Sequence, residues 1–339
     1  MKIGIMASQI SGHLRVSGIG IAHATSPYVS TYPFTTGFGT KYSDPATLPG
    51  SNSGLSVAFN PAGTAIAVGV IDTPYVSAYV WSAGFGTKYG DPGTAPAGNR
   101  VRGVAFNAAG TSIAVVSNGS PYVFAYPWTS GSGFGSKYGD PGTAPSGQCY
   151  GVAFNPNGTA IAVASNNSPY IDAYEWSSGF GSKYANPATL PTGTGQGVAF
   201  NPAGTVLAIA HLTTPFITTY AWSSGFGSKY ANPATLPSST GQGVAFNPAG
   251  TAIAVVNGGS PYVDVYPWSS GFGTRYSDPA TLPTGSGTGV AFNLAGTSIA
   301  VSHATSPYVS AYPWSAGFGT KYSDPATLPT GNGNGVSFT

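Results

Sequence analysis

The chain has 339 residues, of which 6% are charged, 41% apolar and 13% aromatic, with 50 Gly, 29 Pro and a net charge of +2. So many aromatics at so low a net charge exclude a disordered chain, because such chains are poor in aromatics and strongly charged. No run of like charges is present, which argues against nucleic acid as a partner, since that needs a concentrated basic footprint.

Taken in chain order, residues 1–18 match nothing that follows and are read as an N-terminal extension. Their short apolar run is broken by Ser and Gln, and there is no small-residue cleavage site, so no secretory signal is expected. From residue 19 a repeat begins. "IGIAH" (19–23), "SPYVSTYPF" (26–34) and "GFGTKYSDPATLP" (37–49) are the first pieces of a unit that recurs to the C-terminus. Its "VAF" or "VSF" anchor places Phe at 59, 106, 154, 200, 246, 292 and 338. A second anchor places Phe34, Trp81, Trp128, Trp176, Trp222, Trp268 and Trp314 at one repeat position. Seven units near 46 residues have the length of a four-stranded propeller blade.

Within a unit, "GVAFN" is predicted as strand A, "NPAGT" as a turn, "TAIAVA" as strand B and "PYVSAYPW" as strand C. "GFG" is the next turn, and "TKYSDPATLP" is predicted as strand D. Pro45 and its counterparts cannot donate to a central ladder, so D is placed at the outer edge and A at the axis. The chain ends on an A strand, "GVSFT" (335–339), while residues 19–49 supply B, C and D without a clear A. The expected fold is therefore an all-β, seven-bladed β-propeller over 19–339, closed by the C-terminal strand completing the N-terminal blade.

On these residues the chain resembles the WD-repeat and YVTN-type propellers, "VAFNPAGTAIAVA" being similar to their strand A–turn–strand B segment. It departs from them in having no Gly-His pair before strand A, and "PW" where Trp-Asp would end strand C. "IGIMASQISGHL" (3–14) resembles the opening of structural proteins of tailed bacteriophages. That resemblance implies a virion component that docks on other virion proteins through its N-terminus, turns its propeller outward and assembles as a symmetric oligomer.

Seven of the eleven cations occupy one repeat position: Lys41, Lys88, Lys137, Lys183, Lys229, Arg275 and Lys321. An Asp or Asn follows each of them three residues on. A cationic ring gripping a polymer is one reading. Rim pairs, each worth about 0–1 kcal/mol, are the favoured one, and the repeated Trp and Tyr read likewise as packing between blades. What every unit repeats is explained by the blade, so function is sought where units differ. The B–C loops (such as "VIDT", 70–73, and "SNNS", 165–168) and the D–A loops (such as "AGNRVRG", 97–103, and "SGQCYG", 146–151) vary and open on one face.

The candidate binding residues on that face are Arg100, Arg102, Tyr150, Asp72, Asn166, Asn167 and His211, Arg and Tyr being typical interface anchors. A pairing of Asp72 with one of the arginines weighs about equally against a binding role. His23, His211 and His303 share one position in units 1, 5 and 7, but no acid or Cys joins them, so no metal is expected. Asp72, Asp172, Glu175 and Asp264 are the only acids outside the rim series, and Asp172 and Asp264 are separated by a whole blade. Paired carboxylates, a nucleophile with its base and a phosphate loop are all missing, and Cys149 has no His nearby in sequence. Neither enzyme nor cofactor is expected. The expectation is a virion protein whose variable face contacts a host glycan or protein, with a non-viral interaction or glycan-binding scaffold as the alternative.

Overall fold

The computed structural model describes residues 17–339, and the segment expected to dock on a partner, 1–16 of it, lies outside them. Seven antiparallel sheets follow one another around an axis. In blade 2 the order is A (Gly54–Phe59), B (Ala65–Val70), C (Val76–Trp81) and D (Phe85–Lys88). The A strands of successive blades lie side by side at the centre. Blade 1 takes its B and C strands, Gly18–His23 and Val29–Pro33, from the start of the fold and its A strand, Gly333–Phe338, from the end. Ile19 pairs with Phe338 and Ile21 with Val336, so the ring is closed by a seam that no peptide bond crosses. The expected seven-bladed propeller and its closure are thus present.

Strand B is buried on both faces in every blade, as its unbroken run of apolar and small residues requires. The A–B turn is held by its Asn. In blade 2, Asn60 Oδ1 accepts from the backbone N–H of Thr64 (2.8 Å) and of Ala65 (2.9 Å). At the seam, the Thr339 hydroxyl accepts from Gly18 N–H at 2.9 Å.

Two strand boundaries differ from the sequence expectation. Strand D is not "TKYSDPATLP". It covers only the turn-proximal residues, Phe85–Lys88 in blade 2, and shrinks to a single bridge, Phe34 with Phe38, in blade 1. The following residues run irregularly along the rim, where Pro45 and its counterparts supply no ladder donor. Strand C begins after, not at, its proline. Thr25–Tyr28 forms a turn with cis-Pro27 at its third position and the Tyr28 N–H donating to Thr25 O at 2.8 Å, the hallmark of a type VI turn.

Blades are joined by two repeated contacts. The rim tyrosine of one blade meets the tryptophan of the next edge-to-face, as in Tyr42–Trp81 (5.5 Å between centroids) and Tyr89–Trp128 (5.0 Å). At the seam Tyr322 meets Phe34 in the same way at 5.6 Å. The strand C tyrosine then donates its hydroxyl to a rim carbonyl of the preceding blade, Tyr79 to Thr47 O at 2.8 Å. Tyr174 and Tyr266, in blades 4 and 6, keep the position but have no partner for the hydroxyl.

A clean contrast follows. Tyr79→Phe should lower unfolding stability by about 1 kcal/mol, the net value of one hydrogen bond. Tyr174→Phe should cost nothing, because it deletes a buried hydroxyl that is already unsatisfied. Denaturant melts of the two variants measure the difference, and equal losses would contradict the lock between blades.

Candidate functional site

Each A strand carries a β-bulge near its start. Paired positions jump from Val101 to Gly103 in blade 3 and from Gly195 to Gly197 in blade 5, with the same shift in every other blade. A bulge leaves one residue outside the ladder and re-aims its side chain. The seven residues so displaced are Leu55, Arg102, Tyr150, Gln196, Gln242, Thr288 and Asn334, one per blade. Together they line a cavity of about 190 Å³ at the mouth of the axial channel. All seven are half-buried. Directly behind them comes a ring of glycines interrupted by Ser56. Here neighbouring strands approach so closely that a Cβ on Gly197 would stand 2.9 Å from Gly243 Cα. The glycines are therefore a steric requirement of the narrow axis, and side chains return to the channel wall only at the valines beyond.

The mouth opens on the face of the variable loops. Short polar contacts tie the D–A loops to the B–C loops there, for example Thr192 Oγ1 to Thr214 O (2.7 Å) and Thr330 Oγ1 to Ser26 O (2.6 Å). Around the ring the polar side chains are unevenly engaged. Asn334 donates to Gly54 O at 2.8 Å, and Thr288 donates to Gly333 O at 2.6 Å, each reaching the next blade. Gln242 has one longer contact, 3.3 Å to Thr240 Oγ1. In blades 3 to 5, Arg102, Tyr150 and Gln196 make no side-chain hydrogen bond; Arg102 instead lies over the Tyr150 ring, 4.7 Å from its centroid.

Of the residues singled out from the sequence, Arg102 and Tyr150 are thus brought together, with Arg100 two positions before Arg102 in the 97–100 loop. Burial depresses the Arg102 pKa, the Tyr150 phenol favours its charged form, and repulsion by Arg100 lowers it again. Asp72 accepts a hydrogen bond from Ser51 Oγ at 2.9 Å, and no ion pair among the described residues joins it to either arginine. Asn167 donates to Ser146 O at 3.1 Å, and Asn166 presses on Gly147, so both shape the loop at the start of blade 4.

His211 stands apart from the face. It ends strand B, is fully buried, and its Nε2 lies 3.0 Å from Thr218 Oγ1 on strand C. His23 and His303 are equally buried against Ser30 and Ser310. Among the described residues no three His, Cys, Asp or Glu side chains converge as metal ligands would.

The recurrent cations bind their own rim. Lys88 meets Asp91 at 2.6 Å, and Lys41, Lys137 and Lys321 pair likewise with Asp44, Asp140 and Asp324. In blades 4 and 6 the cation turns to a buried acid of strand C, Lys183 to Asp172 at 2.5 Å and Arg275 to Asp264. A cleft of about 540 Å³ lies at the rim between blades 1 and 7; its only cation, Lys321, is held by Asp324. Leu55, Gln196, Gln242, Thr288 and Asn334 were not foreseen as site residues. The signal was present, because the second residue of strand A is the one position of "GVAF" strands that changes type in nearly every unit.

The fold is shared with many solved proteins. A protein described as a putative 6-phosphogluconolactonase from Bacteroides uniformis ATCC 8492 superposes with a TM-score of 0.71 at 12% identity, over 95% of this chain and 99% of its own. A Lactobacillus plantarum protein gives 0.71 at 14% identity, over 95% and 99%. A functionally unknown protein from Desulfotomaculum acetoxidans DSM 771 gives 0.68 at 13%, over 95% and 98%. No family model and no curated protein matches the chain in sequence. At such identities the likeness establishes the propeller fold alone.

The buried histidines carry a pH dependence. Burial lowers His23, His211 and His303 from 6.5 to about 4. The unfolded chain therefore binds more protons between those values, and stability is whole above pH 6.5 and declines as pH falls toward 4. Asn257 fills the same position in blade 6, so His303→Asn should flatten part of that decline. Urea midpoints at pH 7 and 4.5 measure it, and an unchanged slope would contradict the assignment.

Proposed function

We propose that this chain is a non-enzymatic binding protein of a virion surface, whose channel mouth and surrounding loops engage a host surface component or a neighbouring virion protein. The observation that carries the binding reading is the coincidence of variation with position. Residues that repeat build blades, whereas the bulge residues that differ from blade to blade converge on one half-buried, polar mouth. Amide, hydroxyl and aromatic groups at a concave mouth suit the recognition of a polar ligand end.

Chemistry at the same mouth lacks support. None of its seven residues is an acid, a histidine or a cysteine, so the mouth offers no carboxylate, imidazole or thiolate base for a hydrolysis such as the name of the Bacteroides protein suggests. The virion placement rests on the stretch 3–14 alone. A symmetric oligomer belongs to that placement, and no nucleic-acid partner belongs to it.

Three measurements test this reading. Mass spectrometry of washed, infectious particles should recover peptides of this chain, and their absence would remove the virion placement. The purified protein should not accelerate hydrolysis of 6-phosphogluconolactone above its spontaneous rate; measurable turnover would reverse the non-enzymatic reading. Gln196→Ala combined with Gln242→Ala should weaken attachment to host cells at least five-fold while leaving the unfolding midpoint in place. Attachment at full strength would move the contact away from the mouth.

A further inference from the structure

The chain carries nine acids, and all lie within the described residues, so every possible ion-pair partner is visible. Lys41, Lys88, Lys137, Lys183, Arg275 and Lys321 each have one. Lys229 has Asn232 and a backbone carbonyl. Arg100 and Arg102 are the two described cations whose side chains have neither an acid nor a hydrogen-bond acceptor, and the Nε of each is buried and unsatisfied. Leaving a charged donor buried without an acceptor is expensive, and two such donors stand two residues apart. Both are in one loop-and-strand start of a protein whose other described cations are held locally.

We propose that Arg100 and Arg102 form an anion-binding end of the channel mouth, taking a carboxylate or sulfate group carried on a hydroxyl-rich body, as in an acidic oligosaccharide. The inference rests on the reading of the mouth as a binding site. The guanidinium is a planar fork that meets an oxyanion through two parallel donors. The Tyr150 face holds the Arg102 fork in place by a cation–π contact at 4.7 Å, so little side-chain freedom is lost when the anion arrives.

The neighbouring ring residues supply the rest of the recognition. Gln196 offers both amide donor and acceptor with no internal partner, and Tyr150 offers a phenol, as sugar hydroxyls require. On the opposite side Thr288 and Asn334 are spent on backbone carbonyls. The ligand therefore enters over blades 3 to 5, with its charged group toward blade 3. Raised burial and the nearby Arg100 depress the Arg102 pKa, which agrees with a cationic pair that awaits a counter-charge.

The test is calorimetric titration of the full chain with three probes at low and physiological salt. They are a tetrasaccharide of alternating glucuronate and N-acetylglucosamine, its carboxyl-reduced neutral counterpart, and that counterpart after sulfation. At least one acidic probe should bind ten-fold or more tightly than the neutral one, the preference shrinking as salt rises. Preference for the uronate alone would assign the source as a carboxylate, and preference for the sulfated probe alone as a sulfate ester. Arg102→Gln should abolish the preference, Arg100→Gln should reduce it, and Lys229→Gln should leave it intact.

Thermal melts check that each variant is folded, and Arg102→Lys, which keeps the charge but not the fork, serves where Arg102→Gln is not. It should keep only part of the preference. Equal binding of neutral and acidic probes overturns the anion site and leaves the binding face standing. No binding of any probe also overturns it, with host-cell attachment then judging the face separately. A preference that survives Arg102→Gln, or disappears in Lys229→Gln, overturns it in favour of cations elsewhere.

Discussion

The edge-to-face contact between a rim tyrosine and the tryptophan of the next blade is the interaction on which the rest of this molecule depends. A four-stranded blade has two broad faces, and neither can be left in water. Aromatic pairs of this geometry contribute roughly 0.5–1.5 kcal/mol beyond the area they bury, and the contact recurs at every junction, Tyr322 with Phe34 included. Because each blade needs a successor, the last must meet the first. Closure is thus a packing necessity, and the non-covalent seam between Gly333–Phe338 and Gly18–His23 is its outcome.

A scaffold built on repetition constrains most of its side chains. The strand C tyrosines, the turn asparagines, the rim lysines and the axial glycines all have structural partners or steric duties. Even the histidines that break the pattern do so inside the blade, where His23, His211 and His303 meet a hydroxyl of strand C. What escapes is the residue each A strand cannot place in its ladder. The bulge is therefore both a device for bending strands into a narrow axis and the source of a ring of unconstrained side chains. Variation is tolerated there because nothing in the blade depends on it.

Charge follows the same division. Rim cations look functional because they recur, yet each is held by an acid three residues on or inside the same blade, or at Lys229 by Asn232. Arg100 and Arg102 recur nowhere and have no acid. In a protein of 6% charged residues, two cations without an acid, one of them lining the mouth, carry more information than seven on the rim that are held by an acid or, at Lys229, by Asn232.

Much of this was legible in the sequence. A period of about 46 residues, proline in the outermost segment and the split first blade determined the fold and its closure, because hydrophobic period and turn chemistry are local properties. The variable face was legible too, and with it Arg102 and Tyr150. Strand D was drawn too long because its proline shows that the segment lies at the edge but not how few of its residues pair with strand C. His211 was placed on a surface because the loop "HLTT" gives no sign that its first residue is the buried end of strand B. Leu55, Gln196, Gln242, Thr288 and Asn334 lie tens to hundreds of residues apart along the chain, and only ring closure brings them to one mouth. Sequence alone determined which residues were free to vary; the tertiary structure decided that they meet, because a bulge reorients one side chain per blade and the axis is the one place all blades share.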